Sequence, residues 1–181
     1  LRIIHIAAGA TAFLVAPIAM IVKKGGNAHR KWGLVFFWSM SVVAATAAVM
    51  APMHKNLFLL MVSVFSFYLA FTGYRSLFRK KAYKTKKVAP IDWFFAILTI
   101  SFSFGLFVFG ISKMPNGMGV VAAVFGALGT GISYNSIKGF LKPSPDPQKW
   151  FFDHMLGMLT AYIAAVSAFS AVNLNYDWLP P

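Results

Sequence analysis

The chain has 181 residues, 59% of them hydrophobic and only 12% charged, where a soluble domain carries about 25% charged residues. That deficit places it in the membrane class. It has no cysteine, which excludes disulfides, thiolate metal sites and thiol nucleophiles, and its acidic side chains are Asp92, Asp146, Asp153 and Asp177 alone.

The net charge of +13 does not indicate a nucleic-acid partner, because the basic residues lie between apolar runs rather than on one soluble face. Basic loops beside membrane spans follow from the positive-inside rule. The partners expected are the lipid bilayer, with anionic lipids drawn to the basic loops, and other membrane subunits. The chain begins at Leu1 rather than Met, and a preceding N-terminal piece is expected. Residues 1–22 read as a span, since their apolar run is too long for a signal peptide core and no A-x-A-like site precedes Lys23.

A span needs about 20 mostly apolar residues. Six segments qualify, at about 3–22, 32–51, 57–78, 93–112, 117–140 and 151–172. The expected fold is therefore all-α: one domain over 1–181, an integral membrane bundle of six transmembrane helices. Lys23 to Gly33 joins the first two spans, with a glycine pair where the chain reverses. Residues 53–56 and 113–116 read as tight turns. Residues 79–91 and 141–148 read as longer polar connections, the second proline-rich and unable to stay helical for long.

The first, third and fifth connections and their flanks hold 14 of the 17 lysines and arginines; Arg2, Lys55 and Lys113 lie on the other side. This sets both termini outside and the three basic connections in the cytoplasm. Trp32, Trp93 and Trp150 each stand where a span enters from that side, as interfacial tryptophans do.

Small residues recur every four positions at Ala8/Ala12/Ala16, Ala44/Ala48, Ala122/Gly126/Thr130 and Gly157/Ala161/Ala165. Such stripes let helices approach closely in lipid. Spans one, two, five and six are thus expected to form the interior. The phenylalanine-rich fourth span is expected to face lipid.

No Asp, Lys or Arg sits at a span centre, which argues against a carboxylate-lined ion path. Polar residues gather instead at the cytoplasmic ends: His29, Arg30, Tyr74, Arg75, Asp92, Tyr134, Asn135, Asp153 and His154. If spans two, five and six pack together, several of these converge into a polar cleft, with Asp92 poised to pair with Arg75.

Two of the four histidines, His5 and His54, fall on one side and two on the other. His29 and His54 lie 25 residues apart, about 37 Å along a helix, which exceeds the hydrocarbon thickness of about 30 Å. Two stacked haems therefore fit poorly, and a single site at His29 and His154 fits better. A metal held by His29, His154 and Asp153 is the related idea, although no local spacing motif enforces it. No nucleophile elbow or phosphate loop is present.

The stretches His29-Arg30-x-x-Gly33, Phe71-Thr72-Gly73-Tyr74-Arg75, Ile91-Asp92-Trp93 and Asp153-His154-Met155-x-Gly157-Met158, with Ala168 and Asn173, resemble a family of bacterial multi-pass membrane proteins defined only as a domain of unknown function. The resemblance implies a bacterial inner-membrane setting and supplies no activity.

The reading expected is a non-catalytic bundle, either an accessory subunit or a binder of a small molecule or lipid. Its polar cleft would be formed by His29, Arg30, Tyr74, Arg75, Asp92, Asn135, Asp153 and His154, and no cofactor is expected in it. The alternatives are a redox protein with haem b or a divalent metal on its histidines, and a small transporter, which lacks the support of broken helices or an internal repeat.

Overall fold

A computed structural model describes residues 1–53, 57–81 and 87–173. Six α-helices follow one another: α1 (Arg2–Ile21), α2 (Asn27–Met53), α3 (Leu57–Arg75), α4 (Pro90–Ser112), α5 (Gly117–Leu141) and α6 (Lys149–Asn173). A single 3₁₀ turn, Ser76–Arg79, extends α3, and there is no strand among the described residues. Five helices (α1, α2, α4, α5 and α6) are long and apolar enough to cross a membrane. Their apolar side chains remain largely uncovered, Ile3 at 82% and Phe94 at 61% exposure, an outer surface suited to lipid rather than water.

Local chemistry sets the boundaries. Gly25 adopts a positive φ of 75°, which glycine tolerates without strain, and the chain reverses there between α1 and α2. Pro90 opens α4, with Asp92 in its first turn, where an acid complements the helix dipole. The Asn116 side chain accepts a 2.9 Å hydrogen bond from the Met118 amide and caps α5. The 113–116 turn and the non-helical 142–148 connection stand where the sequence indicates. The expected 53–56 turn and the 82–86 stretch fall wholly or partly outside the described residues. α2 continues through Pro52 to Met53, two residues past the expected end of the second span.

The packing corrects the expected interior. α3 is the central helix and touches α2, α4, α5 and α6; its Met61, Tyr68, Leu69, Ala70 and Phe71 are buried. α4 is not simply a lipid-facing helix. Asp92, Ala96, Thr99, Ser103, Leu106 and Gly110 form a buried stripe, and α4 packs along α5 more extensively than any other two helices pack. The seam is tight because α5 brings glycines to it: a Cβ on Gly126 would stand 2.4 Å from the Phe107 nitrogen, and one on Gly119 2.8 Å from the Lys113 carbonyl carbon. The phenylalanines divide, with Phe94, Phe104 and Phe109 turned outward and Phe95 against Phe71 at 4.3 Å between ring centroids.

A second seam joins α3 to α6, where a Cβ on Gly157 would meet the Gly73 Cα at 2.6 Å. Ala12, Ala16, Ala122 and Ala161 are buried as their stripes imply. Ala48 is exposed and Ala44 only half-buried, so that alanine pair does not make a seam.

Candidate functional site

The ends of α1, α3 and α5 and the starts of α2, α4 and α6 meet at one end of the bundle. Among the described residues nearly every lysine and arginine lies there, while Arg2 and Lys113 lie at the other end. Two separate groupings occupy the basic end, rather than the single cleft expected.

The first is a cleft of about 410 Å³. α3 forms its floor with Leu69, Thr72 and Ser76; α5 forms one wall with Ile132, Asn135, Ser136 and Phe140; α6 forms the other with Lys149, Asp153, Leu156 and Thr160. Pro143, Asp146 and Pro147 close over the end, beside Arg79 and Lys80. α5 and α6 are not among the helix pairs that pack along one another, and this separation leaves the cleft. From Lys149 to Thr160 it follows α6 for about 16 Å. Cations stand at its basic end, and Leu69, Ile132 and Leu156 line it further in.

The cations are held by the fold. Asp92 is 2% exposed and takes a two-pronged hydrogen bond from Arg75, with Nε donating to Oδ1 at 2.9 Å and Nη2 to Oδ2 at 2.8 Å. The expected pairing is thus present, and it is buried rather than solvated. Arg79 Nη1 stands 3.9 Å from Asp92 Oδ1, and its guanidinium lies over the Phe140 ring at 5.0 Å. Burial pulls the Arg79 guanidinium below its ordinary pKa, while the carboxylates of Asp92 and Asp153 act in the opposite sense. Phe140 also meets Trp93 edge-on at 5.3 Å, and Lys80 Nζ lies 4.3 Å over the Trp150 ring. Trp93 and Trp150 therefore pack against the site as well as marking where their helices begin.

The second grouping is the histidine pair. His29 Nδ1 donates to the Ala19 carbonyl at 2.9 Å, and His154 Nδ1 donates to the Gly73 carbonyl at 2.9 Å. Their ring centroids are 6.2 Å apart, with the planes at 82°. Asp153, expected as a third ligand, lies on the cleft wall and accepts from Lys149 Nζ at 2.7 Å. Successive residues of a helix point about 100° apart, so Asp153 and its neighbour His154 serve different faces. Among the described residues no three of His, Asp or Glu gather in a way that would hold a metal ion.

Of the other residues expected in the cleft, Asn135 lines it, while Tyr134 is exposed and borders a shallow apolar hollow between α4 and α5. Tyr74 stacks on Phe37 at 4.2 Å and belongs to the α2–α3 interface. Arg30 is exposed and donates to the Gly25 carbonyl, stabilising the reversal. α3 stands between α2 and α5, so span five does not join the other two, while spans two and six do meet, Phe36 lying against Tyr162 at 6.4 Å between ring centroids and His29 beside His154. Arg79, Lys80 and Lys149 were not singled out from sequence; each looked like one more cation of a basic loop, and only the 3₁₀ turn after α3 and the separation of α5 from α6 distinguish them. At the opposite end, His5 Nδ1 is 2.8 Å from the Thr46 hydroxyl, while His54 lies outside the described residues.

Compared with family models, with characterised proteins and with solved structures, the chain matches none.

Proposed function

We propose that the chain is a six-span membrane bundle that binds an anionic amphiphile in the α3–α5–α6 cleft without transforming it. α3 serves as the sixth span, both termini lie outside, and the basic end faces the cytoplasm of a bacterial inner membrane. The lysine and arginine bias supports that orientation, and the motif resemblance supports the setting.

The cleft carries the reading. Arg79, Lys80 and Lys149 are placed where a phosphate or carboxylate head would sit, and apolar side chains follow along the direction of the helices. Its volume falls within the usual range for small-molecule sites, about 300–1,000 Å³. A phospholipid headgroup with one chain, or a free amphiphile such as a fatty acid, presents that same sequence of charge and hydrocarbon.

The test is native mass spectrometry of detergent-purified protein titrated with phosphatidylglycerol, phosphatidylcholine and oleate. The unmodified protein should retain phosphatidylglycerol or oleate in preference to phosphatidylcholine. Each charge-assisted hydrogen bond lost contributes about 1.5–3 kcal/mol, or about 10–100-fold in affinity. Arg79→Gln with Lys80→Gln should weaken retention by at least that factor, and Lys113→Gln at the far end should not. Equal retention of all three probes, or equal binding by both variants, would refute the assignment.

A further inference from the structure

We infer that the head of the cleft's occupant is a small polyol phosphate of glycerol size, bound at its phosphate by cations and at its hydroxyls by carboxylates. This rests on the reading of the α3–α5–α6 cleft as an amphiphile site and specifies which head it takes. The basic end of the cleft carries both signs of charge: Arg79, Lys80 and Lys149 line it together with Asp146 and Asp153. A bare anionic head gains nothing from two carboxylates, since each repels its oxygens.

Each carboxylate has an oxygen to spare. Asp153 Oδ1 accepts from Lys149 Nζ at 2.7 Å, and Asp146 Oδ1 accepts from the Gln148 amide at 2.8 Å. The Oδ2 atom of each has no hydrogen-bond donor among the described residues. An ionised carboxylate only accepts, so both call for an O–H or N–H from the occupant. The nearby hydroxyls of Thr72, Ser76 and Ser136 are already donating to backbone carbonyls of their own segments. Asn135 lines the α5 wall with an amide that can both donate and accept.

Charge and size then choose among heads that carry donors. Asp92 is matched by Arg75, so the three lining cations against two carboxylates leave one net positive charge. A phosphodiester with a polyol head brings one negative charge and closes that balance. A zwitterionic ammonium head brings none, and it must compete with Lys149 for Asp153. Phosphate plus glycerol, about ten heavy atoms, takes about 300 Å³ at about 30 Å³ per atom, the volume share of a water in the liquid. That fits within the cleft's volume of about 410 Å³, with the chains leaving through the gap between α5 and α6. A sugar-sized ring with its phosphate, about sixteen heavy atoms, exceeds it on the same scale.

The experiment is native mass spectrometry of the whole chain in detergent at neutral pH, in which dioleoyl phosphatidylglycerol competes with phosphatidic acid, phosphatidylethanolamine and phosphatidylcholine of the same chains. Phosphatidylglycerol should be retained over phosphatidic acid and over phosphatidylethanolamine by about 10-fold or more, the effect of one charge-assisted hydrogen bond. Asp153→Asn and Asp146→Asn keep the side-chain shape, and a reduced preference over phosphatidic acid in either variant, chiefly through tighter phosphatidic acid, supports the assignment. Lys113→Gln, at the far end, should leave the preference unchanged. Equal retention of phosphatidylglycerol and phosphatidic acid, both above phosphatidylcholine, would overturn the polyol head and leave the anionic-amphiphile reading standing. Phosphatidylethanolamine held as well as phosphatidylglycerol, or a preference unchanged in both aspartate variants, would overturn it too. Failure to retain any anionic lipid would remove both readings.

Discussion

At the scale of single residues, Asp92 differs from Asp146 and Asp153 at the same basic end in being nearly sealed from solvent. Removing one partner of such a buried pair leaves an uncompensated charge, at a cost of about 3–5 kcal/mol. The two partners are not equivalent, because Arg79 stands 3.9 Å from the same carboxylate. Arg75→Ala leaves Asp92 with a second guanidinium to turn to. Asp92→Ala leaves both arginines unpaired, so it should lower thermal stability in detergent more than Arg75→Ala does. The double change Arg75→Met with Asp92→Leu should recover much of the loss, since a well-packed apolar pair often matches a buried ion pair. The Arg75–Asp92 link was legible in the sequence because a lone acid beside a basic loop has few alternatives. The bond from His154 to Gly73 was not, since it spans 81 positions and depends on how closely α3 and α6 approach.

At the scale of helices, glycine determines which faces meet. Gly126 and Gly157 stand against backbone atoms of the neighbouring helix at 2.4 and 2.6 Å from an added Cβ, and backbone yields far less than a side-chain tip. Gly126→Ala and Gly157→Ala should each destabilise the bundle by about 1–3 kcal/mol, the usual cost of overpacking. Gly105 has open space around it, so Gly105→Ala should be neutral or stabilising by up to about 1 kcal/mol, the helix-propensity difference. Thermal unfolding of the three variants side by side checks both signs. The small-residue stripes of α5 and α6 were visible in the sequence, but their partners were not. The matching stripe on α4 mixes Asp, Ala, Thr, Ser, Leu and Gly, and a high phenylalanine content obscured it. α3 has no alanine stripe at all and packs through Ser63, Ser66, Ala70 and Gly73, which is why its central position went unread.

At the scale of the whole molecule, the two ends differ in charge, and hydropathy with a count of cations sufficed to separate them. The absence of cysteine makes the orientation directly measurable, because each introduced thiol is unique. Lys81→Cys and Ser144→Cys should be labelled by a membrane-impermeant maleimide only after cells are opened, and Asn116→Cys in intact cells. Labelling of 81 and 144 from opposite sides would undo the proposed topology. What sequence could not supply is that the polar residues of the basic end fall into two groupings: Asp153 and His154 are adjacent in the chain, and only the rotation of α6 separates their surroundings.

The gap between α5 and α6 has a consequence for how binding strength is to be expressed. In the proposed membrane setting, with α3 as floor and the 143–147 segment beside the end, the uncovered side of the groove would face the bilayer. An occupant arriving that way has already left water, so its relevant concentration is its mole fraction in a two-dimensional solvent. Diluting the sample with buffer at constant lipid should leave occupancy unchanged, while diluting the bilayer with neutral lipid or detergent should empty the groove in proportion.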